Sequence, residues 1–141
     1  MPQSPHHRDT EAQRRPLPEG LTRISGRVVD AAFRVHSALG PGLLERVYEV
    51  CLAHECAKRG LRVRTQVLLP VRYDTLVLEE CLRLDMVVED EVVVEVKAVE
   101  TLLAVHSAQL ITYLKLSGKR LGLLINFNTA LIKNGIVRIA L

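Results

Sequence analysis

Tryptophan is absent, and only two phenylalanines and three tyrosines stand among 141 residues. A platform that stacks successive bases of a single strand needs several exposed rings, so that class of nucleic-acid binder is not expected. Cysteine is scarce as well: Cys51, Cys56 and Cys81, an odd count with no C-x-x-C pair. This suits free thiols in a reducing cytosol better than a disulfide framework. Zinc is a poor fit without paired Cys/His ligands, and a four-cysteine iron–sulfur cluster cannot be built from three. No apolar run approaches the roughly 18 residues that span a bilayer, and the N-terminus has no apolar leader core. The expectation is a cytoplasmic protein with no membrane partner.

The chain is 48% hydrophobic and 25% charged, with a formal net charge of +3. One domain of this length can bury a core without cross-links. The mild positive charge permits a polyanionic partner without demanding one. Residues 1–20 are rich in Pro, His, Arg, Gln and Ser and lack apolar periodicity, so they are expected to form a disordered tail. The adjacent His6 and His7 in that tail are read as solvated side chains. Residues 21–141 are then the single folded domain.

Within the domain, apolar residues from Leu21 to Leu39 recur at steps of three and four, which predicts an amphipathic helix stopped by Gly40-Pro41-Gly42. A second helix is expected from Leu43 to Arg59, with Leu44, Val47, Cys51 and Leu52 along its apolar side and Gly60 at its C-terminus. Three strands follow, near 61–73, 78–88 and 92–99. Pro70 marks the first as bulged or at a sheet edge. Thr101 is a candidate N-cap for a helix over 102–116, closed by Gly118. The run Leu121–Phe127 reads as a strand buried on both faces. A loop with a short strand at Leu131-Ile132 and a last strand over 136–141 complete an α/β domain around a mixed sheet.

The chemistry concentrates between Arg83 and Val99. Here Asp85, Glu95 and Lys97 interrupt a valine-rich strand pair, and charge in such a setting is costly unless it meets partners or a metal. Parity decides whether the acids meet. A two-residue turn would set Asp85 against Val94 and put the two carboxylates on opposite faces. A three-residue turn, Glu89-Asp90-Glu91, pairs Val88 with Val92 and sets Asp85 against Glu95. The hydrophobic pattern favours the second register, with the valine and leucine faces together on one core side. Two carboxylates so placed can hold Mg²⁺ or Mn²⁺, and Lys97 beside them can orient a water or neutralise developing charge. Gln109 and Tyr113, four apart on the following helix, share a face that could reach a phosphate or hold Lys97. Glu45 is a third candidate acid. The basic residues Arg62, Arg64, Lys115, Lys119 and Arg120 are candidate phosphate contacts.

Taken together, Gly42, Glu45 and Tyr48 in G-L-L-E-R-V-Y, then R-L-D-M-V-V, V-V-E-V-K-A-V, A-Q-L-I-T-Y-L-K-L-S-G and G-L-L-I-N-F resemble the GxxExxY family, a branch of the PD-(D/E)xK nuclease superfamily. The resemblance spans residues 21–141. It implies a restriction-endonuclease-like core of order αβββαβ and metal-dependent hydrolysis of DNA. By the same resemblance, Asp85 and Glu95 look like the metal-binding acids, Lys97 like the catalytic lysine and Glu45 like the acid of the first core helix. Gln109 and Tyr113 look like the Q-x-x-x-Y element of the RecB-related exonuclease branch. The alternative expectation is a nuclease-fold module that holds nucleic acid or protein without turnover. A single small core cutting both strands would need two copies or two events, so a homodimer is a further expectation.

Overall fold

The computed structural model describes residues 16–141. His6, His7 and the rest of the tail up to residue 15 lie outside the described residues. The first helix, α1, runs Glu19–Leu39, so Glu19 and Gly20 belong to it rather than to the tail. Leu21, Val28, Ala31, Ala32 and Val35 form its buried stripe. Gly40, at φ 70°, turns the chain out of the helix, and its N–H donates to the His36 carbonyl at 2.7 Å. Only glycine adopts that left-handed conformation without strain.

The second helix, α2 (Glu45–Lys58), faces inward with Tyr48, Glu49, Leu52 and Cys56. The sequence pattern had placed Leu44 and Val47 on the buried side. They are instead 77% and 38% exposed, whereas Tyr48 is fully buried. The tyrosine sets the phase because its ring stacks on Phe127, with centroids 4.7 Å apart and planes 7° from parallel. An aromatic side chain buries more apolar area than a valine, and a stacked partner adds to that gain.

Five strands form one sheet in the order β1 (Val63–Tyr73), β2 (Leu76–Val88), β3 (Val92–Lys97), β4 (Leu121–Asn126) and β5 (Ile136–Ala140). Every neighbouring pair is antiparallel except β3–β4. That parallel pair needs a crossover, supplied by α3 (Ala104–Ser117). Edge strand β1 carries its register shift between Leu69 and Val71, at Pro70, where a ladder donor is missing. Strand β4 is buried along its whole length. Gly122 on it lets α3 approach, since a Cβ there would lie 2.9 Å from the Leu110 side chain. Helix α3 opens at Ala104, later than expected, and Thr101 does not cap it. Leu103 precedes it, and the Leu103 N–H donates to His106 Nδ1 at 2.9 Å. The segment after β4 forms a 3₁₀ turn, Ile132–Gly135, in place of the short strand expected there. Among the described residues no helix is long and apolar enough to cross a membrane.

The hairpin register is the one the valine pattern favoured. Val88 pairs with Val92, Val87 with Val93 and Met86 with Val94. Glu89 and Asp90 turn the chain with φ of 52° and 56°, and Glu91 N–H closes on the Val88 carbonyl at 3.0 Å. The expected single buried face is, however, a pair of buried faces. Met86, Val88, Val92 and Val94 pack under α1 and α2. Val87, Val93 and Leu124 pack under α3 with Leu110 and Leu114.

Strict alternation also breaks within β1 and β2. Val63 and Met86 serve the α1/α2 core, but Val67 and Leu84 serve the α3 core. Equal parity on opposite faces means that each strand reverses between these positions. The reversal falls at Gln66, whose φ is 53°, and at Asp85 facing it. Neither residue takes part in the β1–β2 ladder, which passes from Thr65–Met86 to Val67–Leu84. The reversal keeps the same register on either side and re-aims both side chains beside the site.

Candidate active site

The β2–β3 ladder ends at Met86–Val94, one position before the two acids. From there the side chains take over the backbone's role. Val96 N–H donates to Asp85 Oδ2 at 2.9 Å, and Asp85 N–H donates to Glu95 Oε1 at 3.3 Å. Asp85 therefore lies along the plane of the sheet, toward β3. Each carboxyl group spends one oxygen on the opposing strand and keeps another. Glu95 is only 4% exposed. Burial, then the charge of Asp85 and a hydrogen bond with it, push the Glu95 carboxyl up to about 9, with Lys97 working in the other direction. Without a cation, burial and the neighbouring acid favour the protonated form of Glu95.

Glu45 opens α2 and reaches the same place. Its carboxyl is raised by partial burial, opposed by Lys97, and raised further by Asp85; the Ala98 backbone also hydrogen-bonds to it. Tyr113 on α3 is raised by burial and then by the charges of Glu95 and Asp85, and Gln109 hydrogen-bonds to its side chain. The structure thus brings all six sequence-selected residues into one electrostatic group. Asp85 and Glu95 touch; Lys97 follows on β3, Glu45 comes from the start of α2, and Tyr113 and Gln109 come in from α3.

The donor set suits a hard cation as a pair rather than as a cage. Among the described residues no group of three or more His, Cys, Asp or Glu is arranged to hold a metal. Mg²⁺ characteristically takes one or two carboxylates and keeps several waters. A buried Glu95 whose carboxyl is pushed toward its protonated form, in contact with a half-buried Asp85, fits that description. A divalent cation displaces such a proton.

Three residues support the site, of which Asn126 and Glu49 escaped the sequence reading and Tyr48 entered it only beside Glu45 in the G-L-L-E-R-V-Y stretch. Asn126 is 4% exposed at the end of β4, opposite Lys97 in the ladder. Its side chain accepts from Val99 N–H (3.0 Å) and donates to the Val99 carbonyl (2.9 Å), pinning the chain just beyond Lys97. The signal was there, as the one polar residue inside an apolar run. Glu49 is buried on α2 and accepts a hydrogen bond from Gln66, the residue of the face reversal. That pairing ties the reversal to the helix that carries Glu45. Tyr48 does more than pack. Its hydroxyl donates to the Gly40 carbonyl at 2.6 Å and accepts from Leu43 N–H at 3.1 Å. The loop entering α2 is thereby fixed, and with it the position of Glu45. Tyr48→Phe keeps the ring stack and removes both bonds. It should cost about 1–2 kcal/mol, read as a fall in Tm, with faster amide exchange at Leu43.

The basic cluster is placed differently from expectation. Arg62 pairs with Glu89 at 2.8 Å, and Arg64 and Lys119 pair with Asp90 at 2.7 and 3.3 Å. Arg120 Nε donates to the Leu141 carbonyl at 3.1 Å. These cations gather around the hairpin turn, roughly 17 Å along β3 from Lys97 at about 3.3 Å per residue. The turn's own acids pair with Arg62, Arg64 and Lys119, so these three do not supply a phosphate grip at the acid pair.

A family model described as the PD-(D/E)XK nuclease superfamily matches residues 22–139. No curated protein and no solved structure matches the chain.

Proposed function

The chain belongs to the PD-(D/E)XK nuclease superfamily, and from that premise we propose that it is a Mg²⁺- or Mn²⁺-dependent nuclease hydrolysing DNA phosphodiester bonds. The observation that carries this reading is the contact between buried Glu95 and half-buried Asp85, with Lys97 beside them. A divalent cation held by Asp85 and Glu95, with Glu45 behind them, would supply an acidified water and charge neutralisation at the scissile phosphate. Lys97 sits where it can align the attacking water or meet negative charge as it develops. Tyr113, held by Gln109, offers a hydroxyl to a phosphate oxygen from the α3 side. Glu45 lies within electrostatic reach of Lys97, whose charge favours the ionised form of the Glu45 carboxyl.

Within the superfamily, the finer assignment to the GxxExxY branch rests on Gly42, Glu45 and Tyr48. It is supported by the way the Tyr48 hydroxyl fixes the loop that presents Glu45. DNA as the substrate, a homodimer for cutting both strands, and a cytoplasmic setting for the free thiols of Cys51, Cys56 and Cys81 belong to the same proposal. A second reading, a module that binds without cutting, draws on one observation: the acids satisfy backbone groups of the opposing strands, a role they would keep without catalysis.

A Mn²⁺ cleavage assay on linear, circular and single-stranded DNA separates the two. The control is Asp85→Asn, which retains an oxygen for Val96 N–H while removing the charge. Cleavage by the wild type and at least a hundredfold less by the variant is expected. Equal cleavage by both, or none by either, would sink the nuclease reading.

A further inference from the structure

Strands β3 and β4 run parallel and end together at Lys97 and Asn126. The crevice beyond the carboxyl ends of parallel strands is where open α/β sheets take their ligands. Here that crevice is a cleft of about 440 Å³, with Glu100, Thr101, Asn128, Thr129 and Asn134 among its walls. Its size lies within the usual range for small-molecule sites. Its chemistry is unusual for a protein that binds a polyanion, because no lysine or arginine lines it. A phosphate would meet the Glu100 carboxylate with no cation on the cleft wall to offset it.

What the walls offer instead is a short array of neutral donors and acceptors around one carboxylate. Asn126 is not free to join it, since both ends of its side chain are bound to Val99. Asn128 accepts from Gly42 N–H at 3.1 Å through Oδ1, so its NH₂ group remains as a donor. Among the described residues, no side-chain hydrogen bond or ion pair occupies Glu100, Thr101 or Asn134. Asn134 sits on the 3₁₀ turn beside β4. The 3₁₀ turn lies so close to β4 that a Cβ on Gly135 would come within 2.2 Å of the Asn126 carbonyl oxygen.

We propose that this cleft is a base-reading subsite: it receives an unpaired nucleobase of the strand bound at Lys97, and selects adenine or cytosine over thymine. Both favoured bases carry an exocyclic amino group next to a ring-nitrogen acceptor. The amino group suits Glu100 as acceptor, and the ring nitrogen suits the amide donors of Asn128 or Asn134. Carboxylate to the cytosine amino group and amide to adenine are the pairings that geometry favours elsewhere. Thymine presents a carbonyl where the others present the amino group, and that carbonyl would face the carboxylate unpaired. The base must be unpaired, because in a duplex its Watson–Crick edge is already spent. The inference rests on the nuclease reading for its substrate, but not for its test.

The test is equilibrium binding by fluorescence anisotropy in EDTA, where nothing can be cut. The probes are fluorescein-labelled homopolymers of deoxyadenosine, deoxycytidine and thymidine, about twelve nucleotides long, titrated with the full chain. The wild type should bind the first two about tenfold or more tightly than the thymidine oligomer. Glu100→Gln, which adds a donor for the thymine carbonyl, should close most of that gap by improving thymidine binding. Asn134→Ala should weaken the deoxyadenosine and deoxycytidine complexes and leave the thymidine complex unchanged. Glu100 and Asn134 are both exposed, so neither change threatens the fold. Equal affinity for the three oligomers, no binding to any, or a preference that survives Glu100→Gln would overturn the proposal. A chain that shows the preference yet never cuts would overturn the nuclease reading and leave this one standing.

Discussion

Lys97→Ala should abolish DNA cleavage, lowering the rate by about 10²–10³ or more, while the domain stays folded and still binds Mn²⁺. The magnitude is that of removing one preorganised positive or donor group from a reacting centre. The fold should survive because Lys97 is half-buried at the end of β3, and its side chain makes no hydrogen bond to the backbone among the described residues. Its influence runs through charge: it lowers the carboxyl groups of Glu45 and Glu95. The variant should therefore bind Mn²⁺ at pH 8 with affinity reduced no more than severalfold, as read by calorimetry. Cleavage is measured on linear DNA under the same conditions. A variant that cut as fast as the wild type would remove Lys97 from the mechanism.

Glu95→Gln carries the second large effect, and its sign depends on pH and on metal. In the metal-free protein the Glu95 carboxyl is raised from its ordinary 4.5 to about 9. A raised carboxyl contributes stability that is whole below about pH 4.5 and is lost as pH climbs toward 9. Over that interval the unfolded chain sheds the proton while the folded one holds it. Glutamine imitates the protonated acid, accepting from Asp85 N–H and offering an N–H to the Asp85 carboxylate. In EDTA, the variant and wild type should thus melt alike near pH 4. At pH 8 the variant should melt higher by about 5 °C or more. Saturating Mn²⁺ should reverse that order, raising the Tm of the wild type and barely moving the variant, because binding needs the proton gone. Thermal melts at several pH values, with and without Mn²⁺, check both halves. Identical pH slopes for the two proteins would show that Glu95 does not carry the buried proton.

Much of this centre was legible in the valines. Met86, Val87 and Val88 set against Val92, Val93 and Val94 leave one register that keeps apolar residues together, and that register sets Asp85 toward Glu95. The shared helix face of Gln109 and Tyr113 followed from four-residue spacing, whereas Glu45 entered as a candidate acid and by resemblance. The failures share a cause, which is that pattern reading weighs residue type and not partner. The phase of α2 was decided by the stacking of Tyr48 on Phe127, a contact between residues far apart in sequence. The face reversal at Gln66 and Asp85 breaks the alternation on which strand reading depends, and it leaves no compositional trace. Arg62, Arg64 and Lys119 looked available for phosphate because nothing in the sequence showed that Glu89 and Asp90 would fold back onto them. Asn126 was visible as a polar residue in an apolar run, but its hold on Val99 depends on the crossover between β3 and β4.

The two acids also stitch the strands where the ladder stops, and this bears on how such a chain could change over generations. Replacing either acid with an apolar residue would leave a backbone N–H without its acceptor, Val96 in one case and Asp85 in the other. An unmet buried group of that kind costs about 1–3 kcal/mol, a large share of a small domain's margin. A descendant that had given up cutting would still be held to Asp85 and Glu95 by the need to fold. Lys97 carries no such duty. Among descendants of this chain, the lapse of catalysis would be written first at position 97, while the acid pair persisted as a fossil that still bears weight.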